Sequence, residues 1–359
     1  MDLISEANSG TQVLTARLIN PDRMIPEMND AINTTFLCHT FSLNPDFNTY
    51  YSGLRGYAWP VWGCGALLLV ITCLLYGLTL RSALKHWSNS KAHVSIVLSV
   101  YPLVSGAAFI AVVIPRARVV SEAIAQEVVM IALYHFFCLM IAECGGPEQL
   151  IRRAAGSHLE TRVPPCCCWP CCVIPRPKLQ RQNMELLRYL VLQIPIVQAF
   201  IYIMILVMWA EDFALYQNKF VYFQPFIAAS ILSGVWGVIM CVRTITELGY
   251  RPKPRFLAVQ FVLIIVKLQS GLAKVLVDAV NWPCLLSVHP SILVNLIQNS
   301  LMMLEMLLLS LLAWRLYSVP PGKEINKVQR LSIAVLEDNV RAVDVKSQKD
   351  GIDNKSYNN

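Results

Sequence analysis

WPVWGCGALLLVITCLLYGLTL, residues 59–80, holds no charged side chain. A helix needs about 20 apolar residues to cross ~30 Å of hydrocarbon, and this run supplies them. In lipid a single segment satisfies its own backbone groups only as a helix. Six further runs share that character, near 93–114, 119–142, 186–209, 221–242, 256–281 and 288–314. The expected fold is therefore an all-α membrane protein, a seven-transmembrane-helix bundle. The third run carries Glu122 and Glu127, and the sixth carries Lys267 and Lys274.

Composition agrees. Of 359 residues, 55% are hydrophobic and 15% charged, against about 25% charged in soluble domains; the mean hydropathy is +0.50. The net charge of +7 invites a nucleic-acid reading, but its placement argues against one. With the N-terminus outside, the inner loops and tail hold 21 Lys and Arg residues and the outer segments hold six, Arg17, Arg23, Arg55, Arg116, Arg118 and Lys219. Positive charge gathers on the cytosolic side of membrane proteins, where it meets anionic lipid. This orientation predicts an extracellular N-terminal segment over 1–58, a seven-span domain over 59–317 with a cytosolic Cys-rich loop at 143–185, and a cytosolic tail over 318–359. Residues 1–58 lack the basic-then-apolar layout of a signal peptide.

The loop contains Pro164-Pro165-Cys166-Cys167-Cys168-Trp169-Pro170-Cys171-Cys172. Five cysteines in seven positions need a chemical reason. Fatty acylation beside membrane spans and basic residues is the first reading. A zinc site is the alternative. Cys168 and Cys171 form one C-x₂-C pair, but no second pair follows, and His158 is the only nearby imidazole. A disulfide cluster does not suit the reducing cytosol. Outside, Asn33-Thr34-Thr35 is a glycosylation acceptor pattern. Cys38 and Cys284 share the oxidising side, which makes a disulfide between them a hypothesis from compartment alone. Cys64, Cys73, Cys138, Cys144 and Cys241 are expected to pack in or beside spans.

Ionisable residues within spans are costly and face a cavity or a partner. In the sixth span Gln260, Lys267 and Lys274 recur every seven residues and share one face. Asp278 lies four after Lys274, within reach, and Gln269 widens the patch. The third span adds His135 and, at its cytosolic edge, Glu143. The seventh adds Asn295, Gln298, Asn299 and Glu305; the fourth adds Gln193 and Gln198. One reading is a polar path between the third, sixth and seventh spans, with Lys267 and Lys274 facing an anionic solute. The other is internal pairing, for instance Lys267 with Glu305, plus snorkelling near the ends.

Several motifs carry a resemblance. Ile114-Pro115-Arg116 follows the second span, and Ala142-Glu143-Cys144-Gly145-Gly146-Pro147-Glu148 closes the third. The cysteine run, Gln260, Leu268-Gln269 and Leu304-Glu305 complete the set. With these the chain resembles, over most of 35–320, the alpha subunits of the heteromeric organic solute transporter. The resemblance implies a seven-span carrier with a separate single-span beta subunit in the plasma membrane, also present in the endoplasmic reticulum. It implies gradient-driven movement of amphipathic organic anions and steroids such as bile acids and conjugated steroids. It also implies acylation of the cysteine run, and Cys38 and Cys284 fit the family's outer cysteines. Trp169 interrupts the run, and Lys267 and Lys274 stand where the vertebrate form is expected to be apolar or small. Both departures point to a divergent member with another anionic lipid as cargo. No enzyme activity, metal, cofactor or nucleic-acid partner is expected, and membrane lipid is. No G-x-x-x-x-G-K-[ST] loop occurs for ATP.

A receptor or an acyl-anchored scaffold would share the topology. The third span ends Glu143-Cys144-Gly145 rather than Asp-Arg-Tyr, the seventh lacks Asn-Pro-x-x-Tyr, and the longest inner loop joins spans three and four. These details favour the carrier over the receptor.

Overall fold

The computed structural model describes residues 44–87, 90–153, 159–161, 163, 177–248, 252–279 and 288–318. Two membrane-length helices come first, α2 (Ala58–His86) and α3 (Lys91–Val113), preceded by a short α1 (Phe47–Leu54). Next are α4 (Arg118–Glu143) and a short α5 (Pro147–Arg153). Then follow α6 (Arg181–Glu211), α7 (Phe213–Glu247), α8 (Lys253–Ala279) and α9 (Pro290–Tyr317). Seven of these helices are long and apolar enough to cross a membrane. The chain is thus all-helical with seven candidate spans, as its hydropathy predicts.

Among the described residues helical structure begins at Phe47, earlier than the first apolar run, because α1 packs against the bundle. The buried Tyr50 hydroxyl donates to the Val112 carbonyl at the end of α3, 2.8 Å away. Trp59, Trp62, Phe47 and Tyr51 gather there as an aromatic group. Such amphipathic rings suit a membrane–water boundary.

The centre of the bundle is the α3–α4 pair. On one side α2 and α9 pack against α3 and each other; on the other, α6 packs on α4 and α7 packs on α6. Helix α8 lies against α9 and α4 but barely touches α7, which leaves a seam between α7 and α8. Small residues allow the close approaches. A Cβ on Gly65 would stand 3.1 Å from Met303 of α9 and from Phe109 of α3. A Cβ on Gly234 of α7 would run into Ile194 of α6.

The outer surface is apolar. Leu67, Leu74 and Leu78 of α2, Phe200 of α6, Phe226 of α7 and Leu268 of α8 are exposed. A water-soluble protein rarely exposes so large an apolar area; in lipid it costs nothing. Inside, hydroxyls bond their own helix, as Thr72 does to Leu68, Thr79 to Leu75 and Thr244 to Met240. Of the five cysteines expected to pack, Cys144 and Cys241 are buried and Cys138 is half-buried. Cys64 and Cys73 instead face outward, because most of α2 borders the bundle rather than its core.

The Glu143–Glu148 motif has a specific geometry. Gly145 N–H bonds the Ala142 carbonyl and Gly146 N–H bonds the Ile141 carbonyl, at 3.0 and 3.1 Å. These are the paired bonds of a Schellman helix stop. Both glycines have positive φ, +88° and +95°, which favours glycine. Pro147 then opens α5, where a missing N–H is harmless.

Candidate functional site

The charged residue nearest the middle of a span is Lys267, halfway along α8. Its ammonium donates to the Tyr202 hydroxyl of α6 at 2.9 Å and lies 5.3 Å from the centre of that ring. The Tyr202 hydroxyl donates to Gln126 Oε1 of α4 at 2.5 Å, and Gln126 Nε2 donates to Glu122 Oε1 at 3.2 Å. Three helices are thereby joined through one chain of hydrogen bonds. Glu127, one residue beyond Gln126, lies within the electrostatic reach of Lys267. Its Oε2 is buried and accepts no hydrogen bond among the described residues. Arg118 and Glu122 interact electrostatically one turn apart at the start of α4. The cluster holds two cations and two carboxylates, so it is balanced overall.

The helix periods explain this convergence. Glu122 and Gln126 are one turn apart on the α4 face that meets α6 and α8. Tyr202 is buried, and a buried tyrosine brings an apolar ring with a hydroxyl that needs a partner. The long lysine stem lets Lys267 reach α6 although the α6 and α8 backbones are not closely packed.

The other predicted residues divide among separate places. Glu305 is taken by Gln269, whose Nε2 donates to its Oε2 at 2.5 Å, so the suggested Lys267–Glu305 pair does not form. The reason is position: Gln269 and Glu305 meet along the α8–α9 seam, where Gln298 also donates to Ser270. Gln260 is buried on α8 with its Nε2 unsatisfied among the described residues. His135 bonds His93 of α3, Nδ1 to Nδ1 at 2.9 Å. Glu143 pairs with Arg255 at 2.5 Å. The Arg255 guanidinium lies 4.7 Å from the Trp87 ring centre and 5.5 Å from that of Tyr317. His135 and Glu143 thus serve contacts apart from Lys267. Lys274 and Asp278 lie on the α8 backbone, and their side chains fall outside the described residues. So do Asn33, Cys38, Cys284 and the run Cys166, Cys167, Cys168, Cys171 and Cys172.

Sequence reasoning singled out Glu122 and Glu127 but missed Tyr202, Gln126, Arg255 and His93. A tyrosine in an apolar span was the available signal for Tyr202. Among the described residues, no three His, Cys, Asp or Glu side chains stand together as a metal site.

The family described as Organic solute transporter Ostalpha matches residues 61–321. An organic solute transporter alpha-like protein of Drosophila melanogaster is 24% identical over 290 residues, 80% of this chain and 88% of the relative. An organic solute transporter alpha-like protein 2 of Caenorhabditis elegans is 26% identical over 215 residues, 57% of this chain and 60% of its own. The organic solute transporter subunit alpha of Danio rerio is 22% identical over 237 residues, 64% and 72% of the two chains. No solved structure matches.

Proposed function

The chain belongs to the organic solute transporter alpha family, and from that premise we propose that it is the alpha subunit of a heteromeric, gradient-driven carrier of amphipathic organic anions. Its cargo class is bile acids, conjugated steroids or related anionic lipids, and its partner is a single-span beta subunit. It works in the plasma membrane with its N-terminus outside, the orientation that the distribution of Lys and Arg favours. Asn33 is then an extracellular glycan site, Cys38 and Cys284 an extracellular pair, and the cysteine run an acylated cytosolic loop.

The observation that carries the reading is Lys267. A lysine at the centre of a span costs about 2.5–3.5 kcal/mol on insertion scales. Here it reaches from α8 across to α6, whose backbones do not pack closely, and its ammonium donates to the Tyr202 hydroxyl. An anionic headgroup entering beside the ammonium would bind it alongside the Tyr202 hydroxyl. The steroid body stays against the apolar surfaces of α7 and α8. Gln260, on the same face two turns away, offers an unsatisfied donor to a second polar group of the cargo. Lys274 and Asp278 extend the face along α8.

The test is flux into proteoliposomes holding the chain and its single-span partner. Lys267→Leu is expected to lower uptake of a sulfated steroid at least tenfold and that of an uncharged sterol less than threefold. Equal loss for both cargoes refutes charge recognition, and no steroid flux in the unsubstituted complex refutes the carrier.

A further inference from the structure

A carboxylate in the middle of the bilayer has too few partners. Glu305 is halfway along α9, about 20 Å from either end. Its Oε2 accepts from Gln269 Nε2 of α8 at 2.5 Å. Among the described residues that is the one hydrogen bond given to it, and no Lys, Arg or His side chain pairs with it. The amide is half met as well: Gln269 Oε1 is buried and accepts nothing among the described residues.

The pair lies on the outer lip of the α8–α9 seam. Glu305 and Gln269 are both half-buried. Leu301 and Leu308, one turn to either side of Glu305, are exposed, and so is Leu272, one turn beyond Gln269. On the inner side of α9, Met302 and Met306 are buried. The lysines of α8 belong to other faces by register. At about 100° per residue, Lys267 stands about 160° round the helix from Gln269, and Lys274 about 140°. The Lys267 ammonium is moreover bonded to Tyr202 of α6.

An ionised group at this depth is costly unless another group meets it. The exposed leucines do not say what that group belongs to, since acyl chains cover them in any case. The carboxylate does. Acyl chains have no donor to give it. An anionic cargo is repelled by it. A second copy of this chain, docked on the same seam, sets one carboxylate against another. What fits is a membrane-spanning helix of a different chain, with an amide, hydroxyl or basic side chain near the middle of its span.

Resting on the heteromeric reading proposed above, we infer that the outer lip of the α8–α9 seam, centred on Glu305, is the docking surface for the single transmembrane helix of the beta subunit. That helix brings a hydrogen-bond donor or a cation to the carboxylate. Glu305 then serves the partner rather than the cargo path, and the Lys267 face of α8 stays open on the other side.

The experiment measures association of the full-length chain with a fluorescent beta subunit from the same organism. The two are co-expressed, solubilised in neutral detergent and captured at graded partner concentration. Glu305→Leu is expected to weaken association about tenfold or more, the scale of a strong interhelical hydrogen bond in a membrane. Glu305→Gln keeps an acceptor oxygen and loses the charge, and is expected to weaken it about threefold. Gln269→Leu leaves the carboxylate in place and is expected to keep association within about twofold. Equal loss in Glu305→Leu and Gln269→Leu means that the pair only holds α8 to α9, and overturns the docking surface. Association unchanged by Glu305→Leu means that a proton alone satisfies the carboxyl, and overturns it too. Lys267→Leu is expected to lower anion flux without weakening association. Capture that fails with the unsubstituted chain removes the partner itself, and the heteromeric reading with it. Position is read separately, by a substitution on the lipid-facing surface that leaves folding intact. Leu308→Cys is expected to form a disulfide with a cysteine scanned through the middle of the partner's span, and the exposed Cys73 of α2 is not. Cross-linking through Cys73 instead, or between two copies through Leu308→Cys, overturns the site.

Discussion

The Arg255–Glu143 pair ties the start of α8 to the end of α4, and its energy follows from burial. The two side chains are only 15% and 10% accessible. Arg255 also faces the rings of Trp87, just after α2, and Tyr317, at the end of α9. One guanidinium therefore joins four of the seven long helices. Breaking a buried ion pair from one side costs about 3–5 kcal/mol, because the remaining charge is left uncompensated. In Glu143→Gln the two rings still hold the cation, each contributing about 0.5–2 kcal/mol. The expected loss is then about 3 kcal/mol, a shift of roughly 160-fold in the unfolding equilibrium. Arg255→Met strands the Glu143 carboxylate and loses both ring contacts, for an expected loss of about 5 kcal/mol. The double variant removes both charges at once. It should lose only about 2–3 kcal/mol, which gives a coupling of about 5–6 kcal/mol. Unfolding in mixed micelles of rising sodium dodecyl sulfate content, followed by far-ultraviolet circular dichroism, reads all four corners of the cycle. Single losses below about 1 kcal/mol that add within ~0.5 kcal/mol would refute the desolvated clasp.

Three shorter predictions accompany it. Burial pushes the Cys144 thiol up to about 12, with Glu143 adding to the effect and Arg153 opposing it. A thiol reacts as its thiolate, so at pH 9 Cys144 should alkylate at least ~100-fold more slowly than a free cysteine of pKa about 8.5; comparable rates by peptide mapping would contradict that burial. Gly146→Ala meets no steric neighbour, yet its φ of +95° should cost about 1–2 kcal/mol, read in the same micelle unfolding. Replacing Cys166, Cys167, Cys168, Cys171 and Cys172 with Ser should abolish labelling by an alkyne fatty acid; labelling that persists removes acylation from this loop.

Much of the architecture was legible in the residue order alone. Each span must satisfy its own backbone bonds within one segment, so counting apolar runs of sufficient length yields the number of helices. The helix stop at Gly145 and Gly146 is similarly local, since only neighbouring residues take part in it. The seven-residue spacing of Gln260 and Lys267 was enough to put them on one face of α8. Which helix that face meets was not readable. Lys267 finds Tyr202, 65 positions away, and Glu305 finds Gln269 instead of Lys267.

The physical reason is the solvent. In water, burial of apolar surface tells each helix which side turns inward. In a bilayer, lipid tails are as apolar as leucine, so the same Leu, Ile and Val suit the bundle interior and its exterior. Composition and length therefore determined that this chain is a membrane bundle and where its helices run. The order of packing, the Glu122–Gln126–Tyr202–Lys267 chain, the Arg255 clasp and the paired imidazoles came only from the tertiary structure. Those contacts depend on close fit at small residues and on a few polar partners brought together across long stretches of sequence.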